Sequence, residues 1–305
     1  VEPPTRQGTV LPVLGVIIAS VLYSLKGLFA KKLLLHGARI EDVMALRTAW
    51  AAPLYLAVLW FQRRHLRNRS WPEILELCGW SFLGFWAAPR LNFAGLGSTS
   101  VGLERILVQS ASAWIVVLSW VLWKVRGQGR SPVRLVTWCG LGACYLGLAV
   151  ACLGRDGARA TASPQGALLI LSGCLVWALF ILRIGKVQER FGPLVTTCTG
   201  MLLSAFASLG ESAVRGHLGT LVSPPSAWTL WLAGLVVLAT VIPSFLQQSG
   251  LQRLGAVRMG LLSLVGPAVV PLLAAWFLGE SMSPPQIAGL LLVLAASVPL
   301  SLGKG

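Results

Sequence analysis

Ten apolar runs, each long enough for one bilayer crossing, fill most of this 305-residue chain. They cover about 11–33, 43–61, 74–95, 100–123, 133–153, 166–187, 194–212, 227–249, 257–278 and 285–302. A hydrocarbon layer ~30 Å thick needs ~20 mostly apolar residues per helical span. Only helices or closed barrels satisfy their backbone polar groups inside lipid. These runs are continuous rather than ~10-residue alternating segments, so the expected fold is all-α and membrane-integral. The composition agrees: 11% of residues are charged, against roughly a quarter in soluble domains. Polar links separate the runs. Ser70-Trp71-Pro72-Glu73 has the form of a capping box opening the third span. Ser131-Pro132 and Ser283-Pro284-Pro285 mark the starts of the fifth and tenth.

An even number of spans places both termini on one side. With that side cytoplasmic, the cytoplasmic segments hold fifteen Lys and Arg and the opposite segments six. The positive-inside rule therefore favours N-in, C-in. The same bias explains the net charge of +15 without nucleic acid, since no basic-aromatic run accompanies it. Cys78, Cys139, Cys144, Cys152, Cys174 and Cys198 lie in or at the ends of apolar runs and read as small buried hydrophobes. His36, His65 and His217 fall between spans, so neither a metal site nor a catalytic triad is expected. No nucleotide-binding glycine motif occurs. The reading is therefore of a non-enzyme with no cofactor. A cleavable signal peptide is not expected, because the first run is too long and lacks a small-residue cleavage site.

The chain also repeats itself. An offset of 155 places Gly37 on Gly192, Gly95 on Gly250, Leu107 on Leu262 and Ala113 on Ala268. Near the start the offset is 154, with Tyr23 on Trp177 and Lys32 on Lys186; past the fourth span it is 152, with Ser131-Pro132 on Ser283-Pro284. Spans 1–5 thus match spans 6–10. Five is odd, so the second half enters the membrane in the opposite sense. The expected domains are residues 1–153 and 166–305, with 154–165 as linker. Inverted repeats of this kind are a common build of secondary transporters, with the substrate site between the repeats near the midplane.

The end of each repeat resembles the EamA-type transporters of the drug/metabolite transporter superfamily. In the second half the likeness lies in residues 257–300, with Pro267, Leu278-Gly279-Glu280 and Ser283-Pro284. The first-half counterpart, 103–125, departs from it: Ser112 stands where a proline is usual, and Lys124-Val125 replaces Gly-Glu. Residues 24–47 and Leu103-Glu104-Arg105 resemble one bacterial subgroup, which often has Asp where this chain has Asn92. The resemblance implies two five-helix repeats in a bacterial inner membrane. It also implies export or exchange of amino acids, drugs or other small metabolites. A small-molecule substrate and membrane lipids are the expected partners, with a homodimer allowed.

Ionisable residues inside a span are expensive and are functional candidates by default. Lys26, Arg47, Arg90, Glu104 and Arg105 are those of the first half. At 1.5 Å per residue, Lys26 and Arg90 lie ~22–24 Å above the cytoplasmic ends of their spans. Arg47, Glu104 and Arg105 lie about one turn below the outer surface. All five therefore share the outer third. In one reading Arg47 and Arg105 snorkel to the interface and Glu104 pairs with a neighbour. In the other they line an outer vestibule that attracts an anionic substrate group, Lys26 and Arg90 above all. Glu104 is placed to bond Arg47, Lys26 or Arg90 across helices and is the one candidate for proton coupling, since Glu211 sits at a span end. Arg183 and Arg258 read as snorkelling to the cytoplasmic side. In the second half, Gln247 and Gln248 below Pro243 either touch substrate or bond across helices. Trp60, Trp71 and Trp123 suit the interfacial belt, whereas Tyr23, Trp114 and Trp177 lie deeper and are candidates for a central pocket. Gly84, Pro89, Gly95, Pro243, Gly250, Gly266 and Pro267 are candidate hinges or close-packing points. The alternative is a translocator of drugs or lipid-linked compounds on the same fold.

Overall fold

The computed structural model describes residues 6–67, 69–96, 98, 107–126, 133, 135–156, 163–216, 219, 224–266, 269 and 284–302. Among them the regular structure is entirely helical. Helix α1 (Arg6–Leu35) turns into α2 (Ile40–Phe61) at Gly37, whose φ is 86°. Helix α3 (Trp71–Phe82) begins where the Ser70–Glu73 pattern places it; the Glu73 carboxylate accepts the Ser70 backbone N–H at 3.0 Å. A π-helical turn at Leu83–Ala87 carries it into α4 (Ala88–Leu96). Then come α5 (Ser110–Arg126), α6 (Leu135–Asp156) and α7 (Pro164–Val214). Helix α8 (Thr229–Val236) passes through a second π turn, Val237–Val241, into α9 (Ile242–Leu254). Helices α10 (Ala256–Leu262) and α11 (Pro284–Leu302) follow.

Helix α7 holds 51 residues, a length of ~77 Å if straight, at 1.5 Å per residue. It is not straight. Gly192, at φ 80° and ψ 158°, breaks it into two limbs. Glycine enters the left-handed region without a Cβ clash, and Pro193 has the fixed φ that suits the first position of the next limb. The polar link expected at 188–193 is thereby reduced to one glycine. Gly255, at φ 79°, makes an equally short join between α9 and α10.

The two π turns have a sequence cause. Each ends two residues before a proline, Pro89 or Pro243. A proline inside a helix lacks an N–H and presses its ring on the carbonyl four residues back. A wider turn just before it relieves that clash. Both the turns and the prolines recur at an offset of 154. Gly37 and Gly192, offset by 155, share a left-handed backbone. Gly95 and Gly250 share a packing role: a methyl on the first would strike Ile170 and the backbone of Gly166, and on the second Val16.

Asp42–Phe61, Pro164–Val214 and Ser226–Leu254 are long and apolar enough to cross a bilayer, judged among the described residues. The interior has two apolar clusters. The larger joins α1, α2, α7, α8 and α9 through Leu46, Phe180, Ile184, Phe191 and Leu232. The smaller joins α5, α6, α10 and α11 through Val116, Leu141, Leu261 and Val293. Outward faces are apolar too: Leu11, Leu56, Phe61, Leu168 and Phe206 are all exposed. A surface of that kind suits lipid rather than water. Cys139 is also on it, whereas Cys144, Cys174 and Cys198 are buried and Cys78 is half-buried.

Candidate functional site

Where α1, α2, α7 and α9 meet, the core is polar. Ser20 and Thr48, Thr196 and Thr197, Ser244, Gln247 and Gln248 are all buried there, as is Arg47. Several hydroxyls only serve their own helix. Ser20 donates to Val16 O, and Thr197 to Pro193 O. Others cross between helices. The Tyr55 hydroxyl lies 2.9 Å from Ser244 Oγ, and Ser244 spends its own hydrogen on Val241 O at 2.8 Å. Tyr55 is therefore the donor of that pair and keeps its own lone pairs. Val241 belongs to the second π turn, where Thr240 also donates to Leu235 O across five residues.

Arg47 is 6% exposed. It lies seven residues into α2, about 10 Å from the helix start. Its Nε finds no hydrogen-bond partner. The ionisable side chains that bear on its charge are the phenols of Tyr23 on α1 and Tyr55 on α2. No ion pair holds it among the described residues. Arg47 is therefore buried within the bundle rather than extended to an interface as the snorkelling reading expected.

Arg90 is placed differently. From α4 it makes a two-pronged pair with Glu211 near the end of α7: Nη2 to Oε1 at 2.7 Å, and Nε to Oε1 and Oε2 at 3.1 and 3.2 Å. Arg215 adds a bond to the same carboxylate at 2.8 Å. The sequence offered Glu104 as the anion of this layer and set Glu211 aside. Alignment of α4 with the second limb of α7 brings Glu211 instead. The sequence places both residues toward the ends of apolar runs but carries no sign of the α4–α7 contact that pairs them. Glu104 and Arg105 lie outside the described residues.

At the opposite end of α3 stands a second ionic cluster. Arg183 Nη2 donates to Glu76 at 2.6 Å, and Arg190 bonds the same carboxylate. Glu73 lies 3.6 Å from both Arg69 and Arg190, and Arg69 donates to Arg190 O while covering the Phe191 ring. Arg183 is therefore paired rather than simply snorkelling. The Ser70 N–H and hydroxyl, then the two arginines, hold the Glu73 carboxyl below the usual carboxylate range.

The remaining candidates divide. Lys26 sits over the Phe93 ring at 4.7 Å. Asn92 packs against Gly173, where a Cβ would collide with its amide oxygen, so it serves the α4–α7 contact. Trp177 joins a cluster with Phe85 and Phe180 at centroid distances of 6.4 and 5.1 Å, and Trp114 packs against the main core. Among the described residues no ring contact joins Tyr23 to Trp177. Gln248 accepts from Gln188 Nε2 at 2.6 Å, the cross-helix alternative; Gln247 reaches Ser263 at 3.4 Å. Gln188, Tyr55 and Ser244 were missed by sequence reasoning; each is a polar residue within or beside an apolar run, without a charge to draw attention. Ser112, standing where a proline was usual, donates to Gly260 O at 2.8 Å and ties α5 to α10. No metal-holding group of His, Cys, Asp or Glu occurs among the described residues.

Known proteins resemble this chain in sequence and fold. A model of the EamA-like transporter family matches residues 10–153 and again 164–302. Over 278 residues the chain is 26% identical to the uncharacterized transporter YcbK of Bacillus subtilis strain 168, covering 90% of this chain and 87% of that one. Over 133 residues it is 32% identical to the threonine/homoserine exporter RhtA of Salmonella typhimurium strain SL1344, covering 44% of each chain. A solved crystal structure superposes with a TM-score of 0.75 at 17% identity, covering 95% of this chain and 96% of the other, which shows a common fold.

Proposed function

We propose, from the premise that this chain belongs to the EamA-like transporter family, that it exports or exchanges a small organic metabolite across a bacterial inner membrane. The reading is of ten spans in two inverted repeats, residues 1–153 and 166–305, with both termini cytoplasmic. The repeats rock about a site between them and open it to one side at a time. The observation that carries this is the set of buried polar side chains on α1, α2, α7 and α9, with the Tyr55–Ser244 hydrogen bond joining the two halves inside an otherwise apolar core. Polar groups in lipid-surrounded helices are retained where they serve a pathway. The matched π turns at Leu83–Ala87 and Val237–Val241 support it, as one flexible point in each half. The Arg90–Glu211 pair fixes α4 against the second limb of α7, and the Glu73/Glu76 network fixes α3 against its first limb.

The test is counterflow in proteoliposomes loaded with a panel of radiolabelled amino acids, organic acids and amines. Saturable exchange of at least one small polar solute is expected. Movement of bulky apolar or lipid-linked compounds alone would favour the translocator reading. No movement of any compound by correctly inserted protein would refute transport by this chain alone.

A further inference from the structure

We infer that Arg47 forms a subsite for a single carboxylate group, and so that the transported metabolite carries one carboxylate. This rests on the transport reading and names its substrate class. A guanidinium keeps its charge, and burying it without a partner costs several kcal/mol. Arg47 is 6% exposed and its Nε–H is unpaired. Nε–H and the neighbouring Nη–H form a planar fork that matches two carboxylate oxygens. An unpaired Nε is the half of the fork that a fixed protein counter-ion such as Glu211 occupies on Arg90.

The surroundings restrict the anion. Tyr23 and Tyr55 are neutral phenols that bear on the charge of Arg47, and no acidic partner of it occurs among the described residues. One cation between two phenols balances one negative charge. A phosphate dianion needs more positive charge than this. Tyr55 is fully buried and donates to Ser244; its remaining lone pairs would bond a hydroxyl or ammonium of a solute that enters beside Arg47. The subsite therefore suits a zwitterionic amino acid or a hydroxy acid over a phosphorylated compound or a lipophilic cation.

The experiment uses the full chain in detergent. Thermal stabilisation and equilibrium binding are measured with the proteinogenic amino acids and short hydroxy acids, each beside its primary amide. The amide keeps the shape and removes the negative charge. At least one carboxylate is expected to bind, with its amide weaker by roughly tenfold to a hundredfold. R47K keeps a charge but not the fork, and is expected to lose about tenfold in affinity for the acid and little for the amide. R47Q should lose the preference between the two. The acid–amide comparison in the wild type needs no variant, so a folding failure of R47Q leaves it standing. Equal binding of acid and amide, an R47Q protein that still prefers the acid, or binding of no carboxylate at all would overturn the subsite. Counterflow of a neutral or cationic solute in that last case would keep the transport reading while removing this one; absence of all counterflow would remove both.

Discussion

Two arginines lie within apolar runs of the first half of this chain, and the fold treats them oppositely. Arg90 sits at the edge of the α4–α7 contact, about one third exposed, with a two-pronged bond to Glu211. Arg47 sits inside the bundle, nearly sealed, with Nε unbonded. A paired charge at a boundary is a structural part: its partner is always present and solvent softens its loss. A sealed, unpaired charge is unfinished until something arrives. Intramembrane position alone does not separate the two arginines; among the described residues, a resident counter-ion on Arg90 and none on Arg47 does.

The sharpest break of this comparison is a pair of single substitutions read by counterflow. R47Q is expected to lower flux by roughly a hundredfold, the order of one charge-assisted fork. R90Q is expected to lower it only a few-fold. Equal losses would erase the distinction. Next comes the stability of the Arg90 side. E211Q should destabilise the protein by about 1 kcal/mol, the scale of a partly exposed ion pair, and R90Q/E211Q should cost no more than the larger single change. A sum of the two in chemical unfolding would mean that the residues act separately. A third, comparable effect sharpens the Arg47 side: Y55F deletes the bond to Ser244 and should cost about 1 kcal/mol, with a measurable rise in KM. An unchanged KM would remove Tyr55 from the substrate path. The smallest effect lies at the ionic network of α3. The Glu73 carboxyl is held low when folded, so its contribution is present above the ordinary glutamate range and fades as pH falls through the lowered value. E73Q should flatten the acid limb of a thermal-stability profile slightly, while R47Q should leave that limb as it is.

Much of the fold was written in punctuation. Ser70 and Glu73 open α3, Pro89 and Pro243 each follow a π turn, and Gly37 and Gly192 turn the chain with a left-handed backbone. Those residues act through local sterics, which a sequence displays. The site was only half legible. That Arg47 and Arg90 were costly could be read from their positions in apolar runs, but not which one had a partner. That depends on α4 lying beside the second limb of α7, a long-range contact with no local sign. Tyr55 and Ser244 were hidden for a related reason: an aromatic and a small hydroxyl are ordinary in a span, and only their 2.9 Å approach gives them a role. The π turns and prolines matched at an offset of 154 relate the two halves through backbone-shaping residues, whereas Arg47 has no charged counterpart in the other half.

The most direct test of the central claim is the NMR resonance of each arginine Nε–H in 15N-labelled protein, assigned with R47K and R90K. On adding a carboxylate that binds, the Arg47 resonance is predicted to shift as its free N–H becomes bonded, while that of Arg90, already held by Glu211, stays in place; the matching amide should move neither. A carboxylate-induced shift at Arg90 with Arg47 unmoved would contradict the account.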